Sequence, residues 1–185
     1  MPSGERRRYV QVTDLICSRR NTLAFLPTGS GKTLISVLLI RHYLSQQRKR
    51  AQDKQLIAFI APTKLLVDQQ KAYIAGSCNA VVKAYTSETI TSYANWSREL
   101  RGVDVFVATP EILRQALERR FLDTAQLSLV ILDECHYATG KNPMSVVCEL
   151  LKRAETQPRI LGLTGIGELS LINCALISLS LAHCL

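Results

Sequence analysis

The stretch "PTGSGKT", residues 27–33, decides the fold prediction because it lies between two apolar runs, "LAFL" at 23–26 and "LISVLLI" at 34–40. A short apolar run, a glycine-bearing turn and a second apolar run are typical of a strand, a phosphate-binding loop and a helix. Gly29 and Gly31 allow backbone conformations that are closed to other residues, so successive N–H groups can point at phosphate oxygens. The stretch therefore predicts a nucleotide site. A plain strand-to-helix turn with an incidental lysine is the alternative.

The side chains of this loop have distinct expected roles. The start of the following helix adds a partial positive charge. Lys32 is expected to neutralise charge on the β- and γ-phosphates, and the Thr33 hydroxyl to bind Mg²⁺. The strict loop pattern begins with glycine at the position where this chain has Leu26. The predicted ATP-binding loop residues are Leu26, Pro27, Thr28, Gly29, Ser30, Gly31, Lys32 and Thr33.

A pair of acidic residues follows a second apolar run, in "LSLVILDECH" at 127–136. Carboxylates at the carboxyl end of a buried strand emerge into the crevice where ligands bind in open α/β sheets. Asp133 is expected to hold Mg²⁺, directly or through water, and Glu134 to polarise the water that attacks the γ-phosphate. Two adjacent surface acids are the alternative, but their position after an apolar run favours a catalytic pair.

Apolar runs alternate with amphipathic ones along the chain, which predicts an α/β fold: a parallel twisted sheet with helices on both faces. The tail at 166–185 carries one acidic residue and no basic one, and breaks this pattern. We expect one domain at 1–165, and a tail that either packs on the sheet edge or is unrelated to the domain; a membrane anchor is disfavoured. The predicted strands are 23–26, 56–61, 81–85, 104–108, 127–133 and 159–164; the predicted helices are 32–45, 64–75, 110–120 and 144–154.

Composition narrows the class of protein. The chain has 185 residues, a formal net charge of +8 and six cysteines. The charge leans toward a polyanionic partner, with basic clusters at 6–8 and 46–50 that also suit solvated faces. No cysteine pair has CxxC spacing, which argues against a zinc site. Scattered cysteines without a signal peptide indicate a reducing compartment, the cytoplasm, with the nucleus as a further option.

"PTGSGKT" together with "DECH" resembles the first RecA-like domain of superfamily 2 helicases, which implies a RecA-like P-loop NTPase fold. Other motifs follow in order: "APTKLLVDQQ" at 61–70 resembles motif Ia, "ATPEIL" at 108–113 motif Ib, and "LGLTG" at 161–165 motif III. The resemblance implies that Thr63, Lys64, Thr109 and Pro110 line a track for double-stranded RNA. Helix capping is the alternative for the two threonines, and it is compatible with phosphate contact.

The same resemblance gives two further residues a role. His136 joins Lys32, Asp133 and Glu134 in the predicted catalytic group. Together with Thr164 it would couple the state of the γ-phosphate to the grip on RNA; a plain core or loop role is the alternative for His136.

The stretch at 7–40 is similar to the start of the Dicer helicase region, in which leucine precedes the loop, so Leu26 fits. "DECHYATGKNPMS" and "PRILGLTG" also resemble Dicer segments. The RNA-sensing helicases of innate immunity are the alternative, followed by a non-catalytic RNA-binding fragment. In the family glutamine directly follows tyrosine, whereas here Val10 separates Tyr9 from Gln11, which leaves their contact with adenine open.

The Dicer resemblance implies ATP, Mg²⁺ and double-stranded RNA as ligands. It also implies a second RecA-like domain and ribonuclease III domains, and no motif of either is present after Gly165. Because the second domain supplies transition-state arginines in this superfamily, we expect this chain alone to be weakly active or inactive.

Overall fold

The computed structural model describes residues 21–49 apart from Leu26, Thr28 and Ser30, together with 54–88 and 96–165. This part of the chain forms one parallel sheet with the strand order β1-β6-β5-β2-β4-β3. Each predicted strand is present, to within one residue at either end, and the predicted parallel sheet is confirmed. Tyr9, Gln11 and the tail at 166–185 lie outside the described residues. The strands are β1 (Thr22–Phe25), β2 (Leu56–Ile60), β3 (Val82–Tyr85), β4 (Val105–Ala108), β5 (Leu127–Leu132) and β6 (Arg159–Thr164).

Helices connect the strands, and the four predicted helices are all present. The helices are α1 (Lys32–Lys49), α2 (Lys64–Ser77), α3 (Trp96–Glu99), α4 (Pro110–Glu118) and α5 (Pro143–Arg153), with 3₁₀ turns at Thr124–Gln126 and Cys135–Tyr137. The first helix runs past its predicted end at Ser45, and its last turn carries Arg48 and Lys49. These cations complement the negative end of the helix dipole, which favours the extra turn. None of the helices in the described ranges is long and apolar enough to cross a membrane.

The inner strands β2, β4, β5 and β6 are buried on both faces, which explains why their sequences are nearly continuous apolar runs. The edge strand β3 is only partly buried. In β2, Ala58 and Ile60 belong to one core, with residues of α4 and α5. Ile57 and Phe59 belong to the other core, with residues of α1 and α2. The prediction of helices on both faces of the sheet is therefore confirmed.

An aromatic cluster closes the β3 edge of the sheet. The Tyr85 ring centroid lies 5.3 Å from that of Trp96 and 5.0 Å from that of Phe106. The Tyr85 hydroxyl donates to the carbonyl of Glu99 at 3.1 Å. Burial, followed by the Glu99 charge, raises the pKa of Tyr85 to about 12. These contacts fix the single-turn helix α3, which the sequence pattern did not predict, against β3 and β4.

All six strands run in the same direction, so their carboxyl ends meet at one edge of the sheet. At the opposite edge, the Asn21 side chain accepts a hydrogen bond from the Ile160 amide at 2.9 Å, which ties the start of β1 to β6. The phosphate loop, motifs Ia and Ib, the acidic pair and Gly165 all follow strands at their carboxyl ends. The topology therefore collects the predicted site residues on one edge.

Candidate nucleotide and nucleic-acid site

Gly29 and Gly31, between β1 and α1, have the backbone conformation predicted for them. Gly29 has φ of 78° and Gly31 has φ of 93°, both in the left-handed region. A Cβ atom placed on Gly29 would meet nothing within 4 Å, so backbone conformation and not space requires glycine there. The amide of Ile35 donates to the Gly31 carbonyl at 3.1 Å and starts α1. The helix N-terminus therefore lies directly at the loop, as an anion site requires.

Lys32 and Glu134 form a direct ion pair across the edge of the sheet. The distance from Lys32 Nζ to Glu134 Oε1 is 2.6 Å, and the two side chains are 12% and 27% exposed. The pair joins the loop after β1 to the loop after β5, although β6 lies between these two strands. The structure thus brings together the predicted phosphate-binding lysine and the predicted catalytic glutamate.

Glu134 has a backbone conformation that is unusual for a residue other than glycine. Its φ of 47° and ψ of 48° place it in the left-handed helical region, which costs about 1–3 kcal/mol for a non-glycine residue. This turn aims the carboxylate back over the sheet edge, where Oε2 accepts from the Gly165 amide at 3.4 Å. His136 Nδ1 lies 3.3 Å from the same oxygen. One carboxylate therefore contacts the phosphate loop, the 3₁₀ turn and the end of β6.

Asp133 is more buried than Glu134, with only 7% of its surface exposed. Its amide donates to the Ile60 carbonyl at 2.8 Å, and its Oδ1 accepts from the Glu134 amide at 3.1 Å. Burial and the neighbouring Glu134 charge raise the pKa of Asp133, while Lys32 and the backbone hydrogen bond act in the opposite direction. A divalent cation beside this carboxylate would favour its ionised form.

The oxygen ligands at this edge suit a Mg²⁺ ion that is bound together with a nucleotide. The described residues contain no group of three or more His, Cys, Asp and Glu side chains that could hold a metal. Magnesium usually takes one or two protein oxygens and completes its shell with substrate phosphates and water. The buried carboxylate of Asp133 and the Thr33 hydroxyl, on the residue after Lys32 in α1, are of this kind. These residues fit Mg²⁺ bound with a nucleotide.

His136 connects the acidic pair to β6. Its Nδ1 lies 3.0 Å from the hydroxyl oxygen of Thr164, which is fully buried. Cys135, between Glu134 and His136, is also fully buried. A Cβ atom placed on Gly162 would lie 3.1 Å from the Cys135 sulfur, so the turn packs directly on the backbone of β6. Gly162 was not predicted as a site residue, although glycine inside a buried strand is a known signal of close approach.

A cavity of about 710 Å³ opens on the carboxyl edge, beside the acidic pair. The N-termini of three helices, α2, α4 and α5, border it. Of the four predicted nucleic-acid residues, Thr63, Thr109 and Pro110 line it, and Lys64 is adjacent. The lining residues are Pro62, Thr63, Leu66, Thr109, Pro110, Glu111, Glu134, His136, Tyr137, Asn142, Pro143, Met144 and Gly165.

The two threonines differ in their capping role. Thr63 caps α2, because its Oγ1 accepts from the Leu66 amide at 3.3 Å. Thr109 holds the N-cap position of α4, but its side chain makes no capping hydrogen bond. The capping alternative is therefore confirmed for Thr63. Thr109 is also an N-cap residue, with Pro110 at the helix start, but its side chain does not contribute to the cap. Lys64, the first residue of α2, forms an ion pair with Glu88.

Tyr137 and Asn142 are among the residues of the cavity wall that were not predicted. Tyr137 is 54% exposed, and its ring centroid lies 4.3 Å from that of His136. Asn142 caps α5 by accepting from the Ser145 amide at 3.0 Å, and it also donates to the Tyr137 carbonyl. The signal for Asn142 was in the sequence, since Asn followed by Pro is typical of a helix start. Its bond to Tyr137 depends on the tertiary path of the loop.

A parallel sheet with a phosphate loop after β1 and an acidic pair after β5 defines an ATP-binding, RecA-like helicase domain. The chain belongs to the DEAD/DEAH box helicase family, whose model matches residues 9–165. The recognition of a helicase domain from its ordered motifs is thereby confirmed. ATP-dependent hydrolase activity is general in this family.

The similar proteins agree with the resemblance to Dicer. The chain is 39% identical over 132 residues to Endoribonuclease Dicer homolog 2b of Oryza sativa subsp. japonica, covering 70% of this chain and 10% of that protein. It is 34% identical over 155 residues to Endoribonuclease Dicer homolog 2 of Arabidopsis thaliana, covering 79% and 11%. This chain therefore spans about a tenth of the length of these curated relatives.

Among solved structures, the helicase domain of Hef from Pyrococcus furiosus is similar, with a TM-score of 0.78 and 27% sequence identity. The similarity covers 97% of this chain and 38% of that one. It agrees with the RecA-like fold defined by the strand order and the site.

Proposed function

We propose that this chain is the ATP-binding part of the helicase region of a Dicer-like endoribonuclease, and that it couples ATP to the handling of double-stranded RNA in RNA silencing. The similarity to Dicer homologues over most of the chain supports the family context. The observation that carries the coupling is the position of Glu134. Its carboxylate pairs with Lys32 and also lines the cavity between motifs Ia and Ib.

In the proposed reaction, Lys32 binds the β- and γ-phosphates, and Glu134 activates the attacking water. The γ-phosphate competes with Glu134 for the Lys32 ammonium, which is 2.6 Å from Oε1. Once Lys32 turns to phosphate, Oε1 becomes free to accept a proton from water, as a general base must. Thr33 and Asp133 would hold Mg²⁺, which when bound neutralises charge on the phosphates. Tyr9 and Gln11 stay candidates for the adenine contact.

RNA would lie along the cavity, gripped through its backbone, because A-form duplexes hide their bases from side chains. The N-termini of α2, α4 and α5 offer partial positive charge to phosphate oxygens. Thr63 uses an oxygen lone pair for capping, so its hydroxyl hydrogen can still be donated to a phosphate. Through Thr164 and His136, the end of β6 would then respond both to the nucleotide and to RNA.

We propose that these 185 residues alone bind ATP weakly and hydrolyse it slowly. In this superfamily the second RecA-like domain supplies arginines that stabilise the transition state, and such an arginine contributes roughly 10³–10⁵ in rate. The buried free cysteines Cys78, Cys135 and Cys148 suit a reducing compartment. We therefore propose a location in the cytoplasm, or in the nucleus.

The test is a titration with a fluorescent adenine nucleotide and Mg²⁺, combined with single-turnover hydrolysis at excess protein. Lys32→Ala is expected to abolish nucleotide binding, because the ammonium is the only side-chain cation proposed for the phosphates. Glu134→Gln is expected to keep binding and lose the residual hydrolysis. Lys152→Ala, at an exposed position in α5, is the matched control. Unchanged affinity in Lys32→Ala would show that the loop is not the nucleotide site.

A further inference from the structure

Lys64 does not point freely into solvent. It is the first residue of α2, directly after the cavity residue Thr63, and its Nζ lies 2.5 Å from Oε1 of Glu88. Glu88 follows β3, so this contact joins the loop after β3 to the start of α2 at the carboxyl edge. The Lys64 and Glu88 side chains are 48% and 76% exposed. The pair is thus open to water and to an incoming polyanion.

The position of Lys64 is not explained by helix stability. A cation in the first turn of a helix opposes the helix dipole, and α2 carries no acidic residue there to compensate. The ammonium and the helix N-terminus instead combine their positive charge beside the cavity, where an RNA phosphate would be attracted. Glu88 is the group that holds this ammonium in the structure, so an anion at the same place must displace a carboxylate.

We propose that Glu88 competes with RNA phosphate for Lys64 and so sets the affinity and salt dependence of duplex binding. This inference rests on the proposed function, because it takes double-stranded RNA as the polyanion. Exposed ion pairs are weak, so freeing Lys64 tightens binding by about two- to fivefold and not by orders of magnitude. A freed lysine that contacts phosphate also releases about one further counterion, which steepens the salt dependence.

The experiment measures fluorescence anisotropy of an end-labelled RNA duplex titrated with the full chain over a range of low salt concentrations. Glu88→Gln is expected to bind about two- to fivefold more tightly than the wild type, with a steeper salt dependence. Glu155→Gln makes the same change of charge at an exposed position before β6, on the opposite edge of the sheet, and is expected to change binding less. In a Lys64→Ala background, Glu88→Gln is expected to lose most of its effect. Both paired side chains are exposed, and thermal melting checks that each variant is folded.

The outcomes separate the inference from the function on which it rests. If the wild type binds duplex and Glu88→Gln gains no more than Glu155→Gln, the inference is wrong and the proposed function stands. An equal gain in the Lys64→Ala background also overturns it, because Glu88 would then act by simple repulsion. If neither the wild type nor Glu88→Gln binds duplex, the RNA part of the proposed function fails together with the inference. Binding that appears only in Glu88→Gln supports the competition.

Discussion

Replacing Gly162 by alanine tests the close packing under the acidic pair. The new Cβ would lie 3.0 Å from Leu23 Cδ1 and 3.1 Å from the Cys135 sulfur, both nearer than ordinary van der Waals contact. The Leu23 methyl is the end of a flexible side chain and can move, whereas Cys135 is fully buried in a tight turn. The backbone of Gly162 is not left-handed, so alanine itself is allowed there. Overpacking of this kind costs about 1–3 kcal/mol.

Thermal unfolding followed by circular dichroism measures the cost. For a chain of this length, each kcal/mol lowers Tm by about 2–4 °C. Gly76→Ala is the matched control, since Gly76 lies in α2 and an added Cβ would meet nothing within 4 Å. That change is expected to stabilise the chain by about 0.5–1 kcal/mol, because alanine loses less backbone freedom in a helix than glycine.

A double variant identifies the contact responsible. Cys135→Ala removes the sulfur, so Gly162→Ala is expected to cost less in that background than in the wild type, with a coupling above about 0.5 kcal/mol. The Leu23 contact persists, so recovery is partial. A Tm for Gly162→Ala equal to or above that of the wild type would refute the reasoning. If the changes in stability of the two single variants simply add in the double variant, the Cys135 sulfur is not the atom that the new Cβ displaces.

Two further predictions concern features away from the phosphate loop. Tyr85→Phe removes a buried hydroxyl that donates to Glu99, and is expected to cost about 1 kcal/mol at pH 8. Because the folded pKa of Tyr85 is raised to about 12, its neutral phenol stabilises the fold fully below the unfolded pKa of about 10, and this contribution is lost as pH rises toward 12. Denaturant unfolding should therefore show a smaller alkaline loss of stability in Tyr85→Phe than in the wild type; equal losses would contradict the pKa shift. Asn142→Ala removes the cap of α5 and is expected to cost about 0.5–2 kcal/mol, whereas Asn142→Asp keeps the cap and should cost less. Thermal melts compare the two, and equal Tm values would show that the cap contributes little.

The fold was predictable from the sequence where the burial of an element gives its residues a simple hydrophobic pattern. Strands such as β2, buried on both faces, appear as unbroken apolar runs, and their repetition with helices implies a parallel sheet. The single turn of α3 was not predicted because four residues are too few to show a helical period, and because Trp96 is held by rings on the two neighbouring strands β3 and β4. Tertiary packing decided that element.

The candidate site was predictable as a set of residues on one edge, but not as a network of contacts. That Lys32 contacts Glu134 depends on the strand order β1-β6-β5, which no local pattern specifies. The left-handed backbone of Glu134 and the sulfur packed on Gly162 are likewise consequences of how β5 and β6 meet. The contact between Lys64 and Glu88 follows from loop paths after two strands that are not adjacent.

The place of β6 between β1 and β5 has a consequence for how the molecule forms. Within the described residues β1 pairs only with β6, and the bond between Asn21 and Ile160 spans 139 positions of sequence. During synthesis β1, which leads into the phosphate loop, cannot pair until β6, the last strand of the described chain, has been made. Such long-range pairing slows folding, because loop-closure entropy is lost before the contacts form. A nucleotide that contacts both the loop after β1 and the acidic pair after β5 would bind only the completed sheet. It would therefore stabilise the folded state in addition to serving as a substrate.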